Sequence, residues 1–366
     1  MPCIRTGLAG YAPRFARCTC LAEHARGIGR FAAYHGRVTR IGLVLGAGGV
    51  VGHAFHAGVL AELADATGWD ARDAEVVVGT SAGSVVGALL RAGVSPADLA
   101  ARATGAPLSP QGARLAARAG GPAPVPSRPP RRAGGLPRMA SPGTFVRATF
   151  PPFRPVRPGA LAAAALPAGR IDTEMVASGL RPLFAAGWPE AALWVCTVRL
   201  GTGRRVVFGR PGPPDGVAVA DAVAASCAIP GYFEPVEIGG TRYVDGGAHS
   251  PTNADLLTAH DLDLVIVSSP MSVAGNRLRP SLDLPARRLA RLYLGREAGR
   301  VRRAGTPVLA FQPVAADLAV MGLNAMDPTR REAVTRQARH STRRRLARPD
   351  VRDRLASLRS PRAAGR

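Results

Sequence analysis

The chain has 366 residues and a mass of 37.9 kDa, which suits one large α/β domain or two small ones, and its apolar fraction of 46% supports a folded core. Its formal net charge is +23. The basic residues other than His are all Arg, and they concentrate in segments 1–40, 105–170 and 330–366, while the rest of the chain is close to neutral. This distribution argues against a nucleic-acid partner and favours solvated basic segments that could contact an anionic membrane.

The five cysteines, Cys3, Cys18, Cys20, Cys196 and Cys227, lack the paired spacing of a disulfide scaffold or a zinc site. Cys18, Cys20 and His24 would form only half of a metal site. We therefore expect a reducing cytoplasm, no metal and no cofactor. No signal-peptide pattern and no apolar run of about 18 residues occurs, so the sequence predicts a cytoplasmic protein, with peripheral membrane contact as the alternative.

Regular patterns begin at Arg40 with a strand, a glycine loop and a helix. A second strand spans Ala74 to Val78, and the helix after it runs to about Ala92. Ser95 and Pro96 then have the residue types of an N-cap and a first helical position. Residues 105–170 are so rich in Pro, Gly and Arg that they predict an irregular insertion or lid, whose Phe145, Phe150 and Phe153 could touch a lipid interface.

After residue 170 the pattern alternates again. The predicted elements, in order, are a helix capped by Asp172, strands "LWVCTVRL" and "RRVVFGR", a helix "VAVADAVAASCAI", a strand pair turning at Gly239 and Gly240, strand "LDLVIVSS", a helix over 285–303, strand "TPVLAFQP" and a helix from Pro328 to Ala347. Such alternation predicts an α/β fold with a mostly parallel central sheet and helices on both faces. We place the domain at 40–347, between a disordered extension at 1–39 and a basic tail at 348–366.

The stretch "VVVGTSAGSVVGAL" places Ser81 between Gly79 and Gly83 in a G-x-S-x-G pattern, directly after one buried strand and before a helix. A serine at such a sharp turn is exposed at the sheet edge, beside the free N–H groups of a helix N-terminus. Taken alone, the pattern also fits a polar N-cap with small residues for close packing. A nucleophilic serine would need a base and oxyanion donors.

Two glycine-rich segments could supply those groups. "GAGGVVG", Gly46 to Gly52, follows the first strand and opens a helix, so its N–H groups could hold an oxyanion or a phosphate. A dinucleotide site is disfavoured because the glycine spacing is wrong and no ribose-binding acid follows the second strand. "YVDGG" puts Asp245 at a strand end before Gly246 and Gly247, where an ordinary Asp-Gly turn is the alternative.

Three blocks in this order, "GLVLGAGGVVGHAFHAGVL", "VVVGTSAGSVVGAL" and "ASCAIPGYFEPVEIGGTRYVDGG", resemble the patatin-like phospholipases, and "MGLNAMDPTRREAV" is similar to bacterial members. The resemblance implies a three-layer sandwich and a serine–aspartate dyad. Ser81 would be the nucleophile and Asp245 the base. The N–H groups of Gly48 and Gly49, with Ala47 as a further candidate, would form the oxyanion hole.

Two features depart from the family pattern: Val51 stands where Arg or Lys is usual, and the insertion at 105–170 matches nothing in it. A Ser–acid–His triad with His249 or His260 is a competing hypothesis, and His53 and His56 lie in the helix after the glycine loop. We expect a serine hydrolase of fatty acyl esters, with phospholipids or lysophospholipids as the substrate class. The alternative is a lipid-binding or regulatory protein of the same fold with little hydrolysis.

Overall fold

The structure is a computed structural model, and it describes residues 39–120, 140–142, 144, 157–212, 216–275 and 280–355. Several predicted features lie outside the described residues: the extension up to residue 38, the three phenylalanines of the insertion, Cys3, Cys18, Cys20 and His24, and the end of the basic tail.

The described residues contain one eight-stranded sheet. Its strands are β1 Ile41–Leu45, β2 Val76–Thr80, β3 Ala192–Arg199, β4 Arg204–Phe208, β5 Val236–Ile238, β6 Thr241–Asp245, β7 Leu264–Ser268 and β8 Val308–Phe311. Their order is β5-β6-β3-β2-β1-β7-β8, and β4 also pairs with β3. The five strands β8, β7, β1, β2 and β3 pair in parallel, while β4, β5 and β6 are antiparallel. The prediction of a mostly parallel sheet is confirmed.

The α-helices of the described residues lie between these strands and after β8. They are α1 Gly49–Thr67, α2 Ala82–Arg91, α3 Pro96–Thr104, α4 Pro110–Arg118, α5 Pro158–Ala165, α6 Glu174–Leu180, α7 Val219–Ser226, α8 Leu284–Arg303, α9 Ala315–Met321, α10 Arg331–Leu346 and α11 Pro349–Leu355. Five of these described helices, α2 to α6, follow one another between β2 and β3. As its sequence indicates, α3 begins at Pro96, and the Ser95 side chain accepts from the Asp98 N–H. No described helix has the length and apolar character needed to cross a membrane.

The structure differs from the sequence prediction at three helices. Helices α4 and α5 lie within 105–170, where an irregular segment was expected, and α11 lies in the predicted tail. Ser109 caps α4 by accepting from the Gly112 N–H, and Pro110 occupies its first turn, so this helix starts as α3 does. Helix α5 is a run of alanines, the strongest helix former, behind Pro158.

Apolar side chains alternate between the two faces of the sheet. Along β1, Leu43 and Leu45 belong to the core under α1 and α2, whereas Val44 belongs to a second core that includes Leu294 and Ala298 of α8. Both faces of the parallel strands are therefore covered, as is usual for parallel sheets. The helices form the outer layers of an α/β/α arrangement.

The register of β3 brings two distant segments to one place. Thr80, the last residue of β2, is opposite Cys196, and Asp245, the last residue of β6, is opposite Thr197. Because Cys196 and Thr197 are neighbours in β3, Ser81, which follows β2, and Asp245, which ends β6, lie side by side where these strands end.

Candidate active site

Ser81 occupies a strained turn between β2 and α2. Its φ of 55° and ψ of −122° lie outside the regions that residues with a side chain usually adopt. The turn is held by hydrogen bonds: the Ser81 N–H donates to the Ser226 Oγ at 2.9 Å, and the Ser84 N–H and Oγ donate to the Ser81 carbonyl at 2.8 and 2.6 Å. Such strain persists only where surrounding contacts determine the conformation, and it is typical of functional turns.

The two glycines beside Ser81 permit close backbone approach. A Cβ at position 83 would lie 1.9 Å from the carbonyl oxygen of Leu45 in β1, and one at position 79 would lie 2.5 Å from the Ser84 Cα. Neither contact is with a side chain that could move away. The G-x-S-x-G pattern is therefore required by the packing of α2 against β1 and β2, whatever the serine does chemically.

Asp245 ends β6 with its side chain directed at Ser81. The Ser81 hydroxyl lies near enough to the Asp245 carboxyl to lower its pKa, and the Gly247 N–H donates to Asp245 Oδ1 at 2.7 Å. The two residues are 3% and 5% exposed. Burial raises the pKa of Asp245 to about 6, although the Ser81 hydroxyl and the Gly247 N–H both act to lower it. The carboxylate is thus both in contact with the hydroxyl and ready to take up a proton near neutral pH.

The glycine loop before α1 lies beside this pair. Ala47 Cβ lies 3.5 Å from the position that a Cβ on Gly247 would take, so the loop touches the segment after Asp245. Gly49 has a φ of 61°, and a Cβ there would lie 2.7 Å from the Ala325 carbonyl oxygen. Only glycine fits this conformation and space without rearrangement.

The N–H groups of this loop differ in whether they are free. The Gly46 and Ala47 N–H groups donate to the Ser268 and Pro251 carbonyls at 2.9 and 2.8 Å. Gly49 begins α1, where N–H groups lack an acceptor within the helix, and no described residue accepts from the Gly48 N–H. Of the three predicted oxyanion donors, Gly48 and Gly49 therefore remain available, whereas the Ala47 N–H is already used.

A buried histidine, His56, holds the glycine loop in place through hydrogen bonds. His56 Nε2 lies 2.8 Å from the Gly46 carbonyl oxygen, and Nδ1 lies 2.8 Å from the Ser268 Oγ. Since a carbonyl only accepts, Nε2 carries the proton and Nδ1 accepts from the serine hydroxyl. Burial lowers the pKa of His56 to about 4, which keeps the imidazole neutral. His56 thus ties α1 and β7 to the first glycine of the loop.

Ser81 opens onto a cavity of about 220 Å³. Gly49 and Val50 line it on the side of the glycine loop, and Met326 lines it from the segment before α10. Most of its wall is apolar, including Val85, Leu89, Val176, Leu180, Ile229 and Phe233. An apolar cavity that contains a nucleophile candidate suits a substrate with a hydrocarbon chain.

The histidines of the competing triad lie elsewhere. The neighbours that perturb His249 are Arg205, Arg157 and Asp255, and its Nδ1 is buried without a hydrogen-bond partner among the described residues. His260 contacts Trp194, with ring centroids 4.8 Å apart. The described contacts of Ser81 and Asp245 include neither histidine. The geometry favours the pair over the triad.

The family model described as patatin-like phospholipase matches residues 43–258, more than half of the chain. The chain belongs to the patatin-like phospholipase family. Members of this family are lipid acyl hydrolases. The sequence resemblance stated above is thereby confirmed.

Two solved structures are similar to the patatin-like chain. VipD from Legionella pneumophila is 11% identical, with 85% of this chain and 67% of VipD covered and a TM-score of 0.37. The type III effector protein ExoU is 16% identical, with 87% of this chain and 54% of ExoU covered and a TM-score of 0.34. The chain thus spans about half the length of ExoU. No match was found among curated proteins.

The sequence did not predict the contacts of some residues around the patatin-like site. Ser226 and His56 position the serine turn and the glycine loop through contacts that no motif indicated. Met326 and the Ala325 carbonyl lie beyond the matched range but contact the glycine loop, which gives a structural role to the "GLNAMDP" segment. Val51, at the position where a basic residue was expected, is 2% exposed and packs in the core while its N–H donates to Ala325.

Proposed function

We propose that this protein is a serine acyl-ester hydrolase of the phospholipase A or lysophospholipase type, which acts through an acyl-enzyme on Ser81. The observation that carries the proposal is the position of the Ser81 hydroxyl, which lines an apolar cavity and lies near enough to the buried Asp245 carboxyl to lower its pKa. Membership of a family of lipid acyl hydrolases supports the class of substrate.

In the first half-reaction, Asp245 takes the proton from Ser81 as Oγ bonds to the ester carbonyl carbon. The negative charge that develops on the carbonyl oxygen is stabilised by the Gly48 and Gly49 N–H groups and by the N-terminal end of α1. The bond to the leaving oxygen then breaks, and Asp245 returns the proton to that oxygen. The acyl group remains on Ser81.

In the second half-reaction, water takes the place of the alcohol. Asp245 accepts a proton from the water while the water oxygen attacks the acyl carbon, and the same proton then returns to Ser81 Oγ as the fatty acid leaves. A carboxylate can fill both roles because its pKa is raised to about 6, which brings it close to the pH at which the enzyme would work. Neither half-reaction needs a histidine.

Covalent labelling with a fluorophosphonate tests the nucleophile, with hydrolysis of a p-nitrophenyl acyl ester measured in parallel. We expect labelling of the wild-type protein, none of Ser81→Ala, and unchanged labelling of Ser281→Ala, an exposed serine outside the cavity. Asp245→Asn should reduce turnover by about 10²- to 10⁴-fold, while His249→Ala and His260→Ala should keep most of it.

Two outcomes would contradict the proposal. A folded wild-type protein that is neither labelled nor active on any acyl ester would favour the alternative, a lipid-binding or regulatory protein of the patatin fold. Loss of activity in a histidine variant with retention in Asp245→Asn would replace the pair by a triad.

A further inference from the structure

The cavity that contains Ser81 also has a basic region in its otherwise apolar wall. Arg102 of α3, Arg331 at the start of α10 and His53 of α1 all line it. Three separate helices therefore contribute cationic or hydrogen-bonding groups to one cavity. All three side chains are half-buried.

Neither arginine is neutralised within the part of the chain that the structure describes. No hydrogen bond or ion pair is recorded there for the side chain of Arg102 or Arg331, and the pKa of Arg102 is lowered by burial and by the charge of Arg331. Other partly buried arginines of the chain are bonded. Arg205 pairs with Asp255 at 2.7 Å, and Arg91 donates to the carbonyls of Arg72, Ala74 and Ala192.

The positive charges of both guanidinium groups act on one side chain, His53, which lines the same cavity. Its pKa is lowered to about 3 by burial first, then by His56, Arg331 and Arg102. The imidazole is therefore neutral and offers one N–H donor. The two like charges repel each other, and the described residues that line the cavity include no acid. An anion that enters the cavity would offset this repulsion.

The charge of the site selects among lipid anions. Two guanidinium groups carry two positive charges, and their planar forks suit phosphate oxygens. A phosphate monoester carries close to two negative charges at neutral pH, whereas the headgroup of a zwitterionic phosphodiester brings its own cation. The apolar wall beside the arginines would contact an acyl chain on the same ligand molecule.

We propose that Arg102 and Arg331 bind the phosphate monoester of the substrate, so that the preferred substrates are acyl esters of the phosphatidic or lysophosphatidic acid class. His53 contributes a hydrogen bond to the same phosphate. This inference rests on the proposed hydrolase function of Ser81 for its kinetic test, and a binding test keeps it separate.

The kinetic test compares two esters that differ only in the phosphate, 1-oleoyl lysophosphatidic acid and 1-monooleoylglycerol. In the wild-type protein kcat/KM should favour the phosphate ester, and Arg102→Gln or Arg331→Gln should each reduce that preference about tenfold or more, as expected for loss of a charged hydrogen bond. Arg331→Lys, which keeps the charge and loses the fork, should retain an intermediate preference. Arg344→Gln is the matched control, since Arg344 is exposed on α10 outside the cavity.

A preference that stays at the wild-type value in both Gln variants, while thermal unfolding shows that they are folded, would overturn the inference. So would an equal loss of kcat/KM for the two esters, because that result indicates a general disturbance of the cavity. A preference that falls as far in Arg344→Gln would assign the effect to the overall charge of the protein.

The binding test uses Ser81→Ala and isothermal titration calorimetry below the critical micelle concentration of each lipid. Lysophosphatidic acid should bind at least tenfold more tightly than monooleoylglycerol or oleate, and adding Arg102→Gln should remove that difference. If the wild-type protein hydrolyses neither ester but this pattern holds, the proposed function fails and the phosphate site stands. Inorganic phosphate that binds as tightly as the lipid would make free phosphate the ligand, and oleate that binds as tightly would make it a carboxylate; either result overturns the assignment.

Discussion

Replacement of Asp245 by Asn separates the proposed chemical role of this carboxyl from its cost to the fold. Asn has nearly the same shape, can still accept from the Gly247 N–H, and carries no charge at any pH. If Asp245 is the base, hydrolysis is lost. Because the ionised carboxylate is buried, the same substitution should make the folded protein more stable at neutral pH.

The size of this stabilisation follows from the pKa. Burial raises the pKa of Asp245 from 3.8 to about 6, and a difference of about 2 units corresponds to about 3 kcal/mol of folding free energy. The folded-state pKa is the higher one, so the contribution is fully present below pH about 4 and is lost as the pH rises through about 6. Relative to the wild-type protein, Asp245→Asn should therefore gain up to about 3 kcal/mol between pH 4 and pH 8.

Urea unfolding of both proteins across this pH range measures the difference in stability. Hydrolysis by the wild-type protein, followed over the same range, should rise as Asp245 ionises near pH 6. Asp255→Asn is an informative control of opposite sign. The hydrogen bonds and charge of Arg205 lower the pKa of Asp255 despite its burial, so its stabilisation is present above its unfolded pKa and is lost in acid. A stability difference between Asp245→Asn and wild type that does not change with pH would refute the raised pKa and the reasoning built on it.

Two further substitutions test how the serine turn is held. Gly83→Ala should cost about 4 kcal/mol of folding free energy or prevent folding, because the new Cβ would collide with the Leu45 carbonyl. Gly295→Ala is the control: its Cβ would point into open space on α8, and the substitution should stabilise the protein by about 0.5–1 kcal/mol. Thermal or urea unfolding measures both, and similar values for the two variants would contradict the packing argument. Ser226→Ala should cost about 1–3 kcal/mol in urea unfolding and also lower kcat, because it leaves the buried Ser81 N–H without its acceptor; wild-type stability and kcat would show that the turn does not depend on this bond.

Much of the sheet could be predicted from the sequence because its strands are short apolar runs bounded by glycine, proline or polar residues. Parallel strands such as β2 and β7 begin with such a run and are buried at every position, and several helices have clear starts. The helices that were missed within 105–170 are instructive. The Ser109–Pro110 start of α4 repeats the Ser95–Pro96 start of α3, but the surrounding Pro, Gly and Arg composition obscured it.

The pairing of Ser81 with Asp245 could not be derived from composition, periodicity or spacing. The two residues are far apart in the chain, and their contact depends on the register of a third strand, which no local pattern specifies. The resemblance to a family supplied the pair as a prediction, and in the structure the two residues lie beside each other. The role of Ser226 is even harder to predict, because no local pattern indicates that a serine at the end of a helix accepts a hydrogen bond from the N–H of a residue 145 positions away.

One peptide group of β3 explains how the two distant segments that contain Ser81 and Asp245 are held beside each other. The Cys196 carbonyl accepts from Ser226 Oγ at 2.7 Å, and Ser226 Oγ in turn accepts from the Ser81 N–H. The position of a Cβ on Gly246 lies 2.3 Å from the same carbonyl oxygen, so only glycine allows the segment after Asp245 to pass there. Because the serine turn and the aspartate turn both pack on one peptide group, a shift of β3 would carry both of them together and preserve the contact between hydroxyl and carboxylate. The strained turn at Ser81 and the buried turn at Asp245 are thus both supported by one peptide group of a strand inside the sheet.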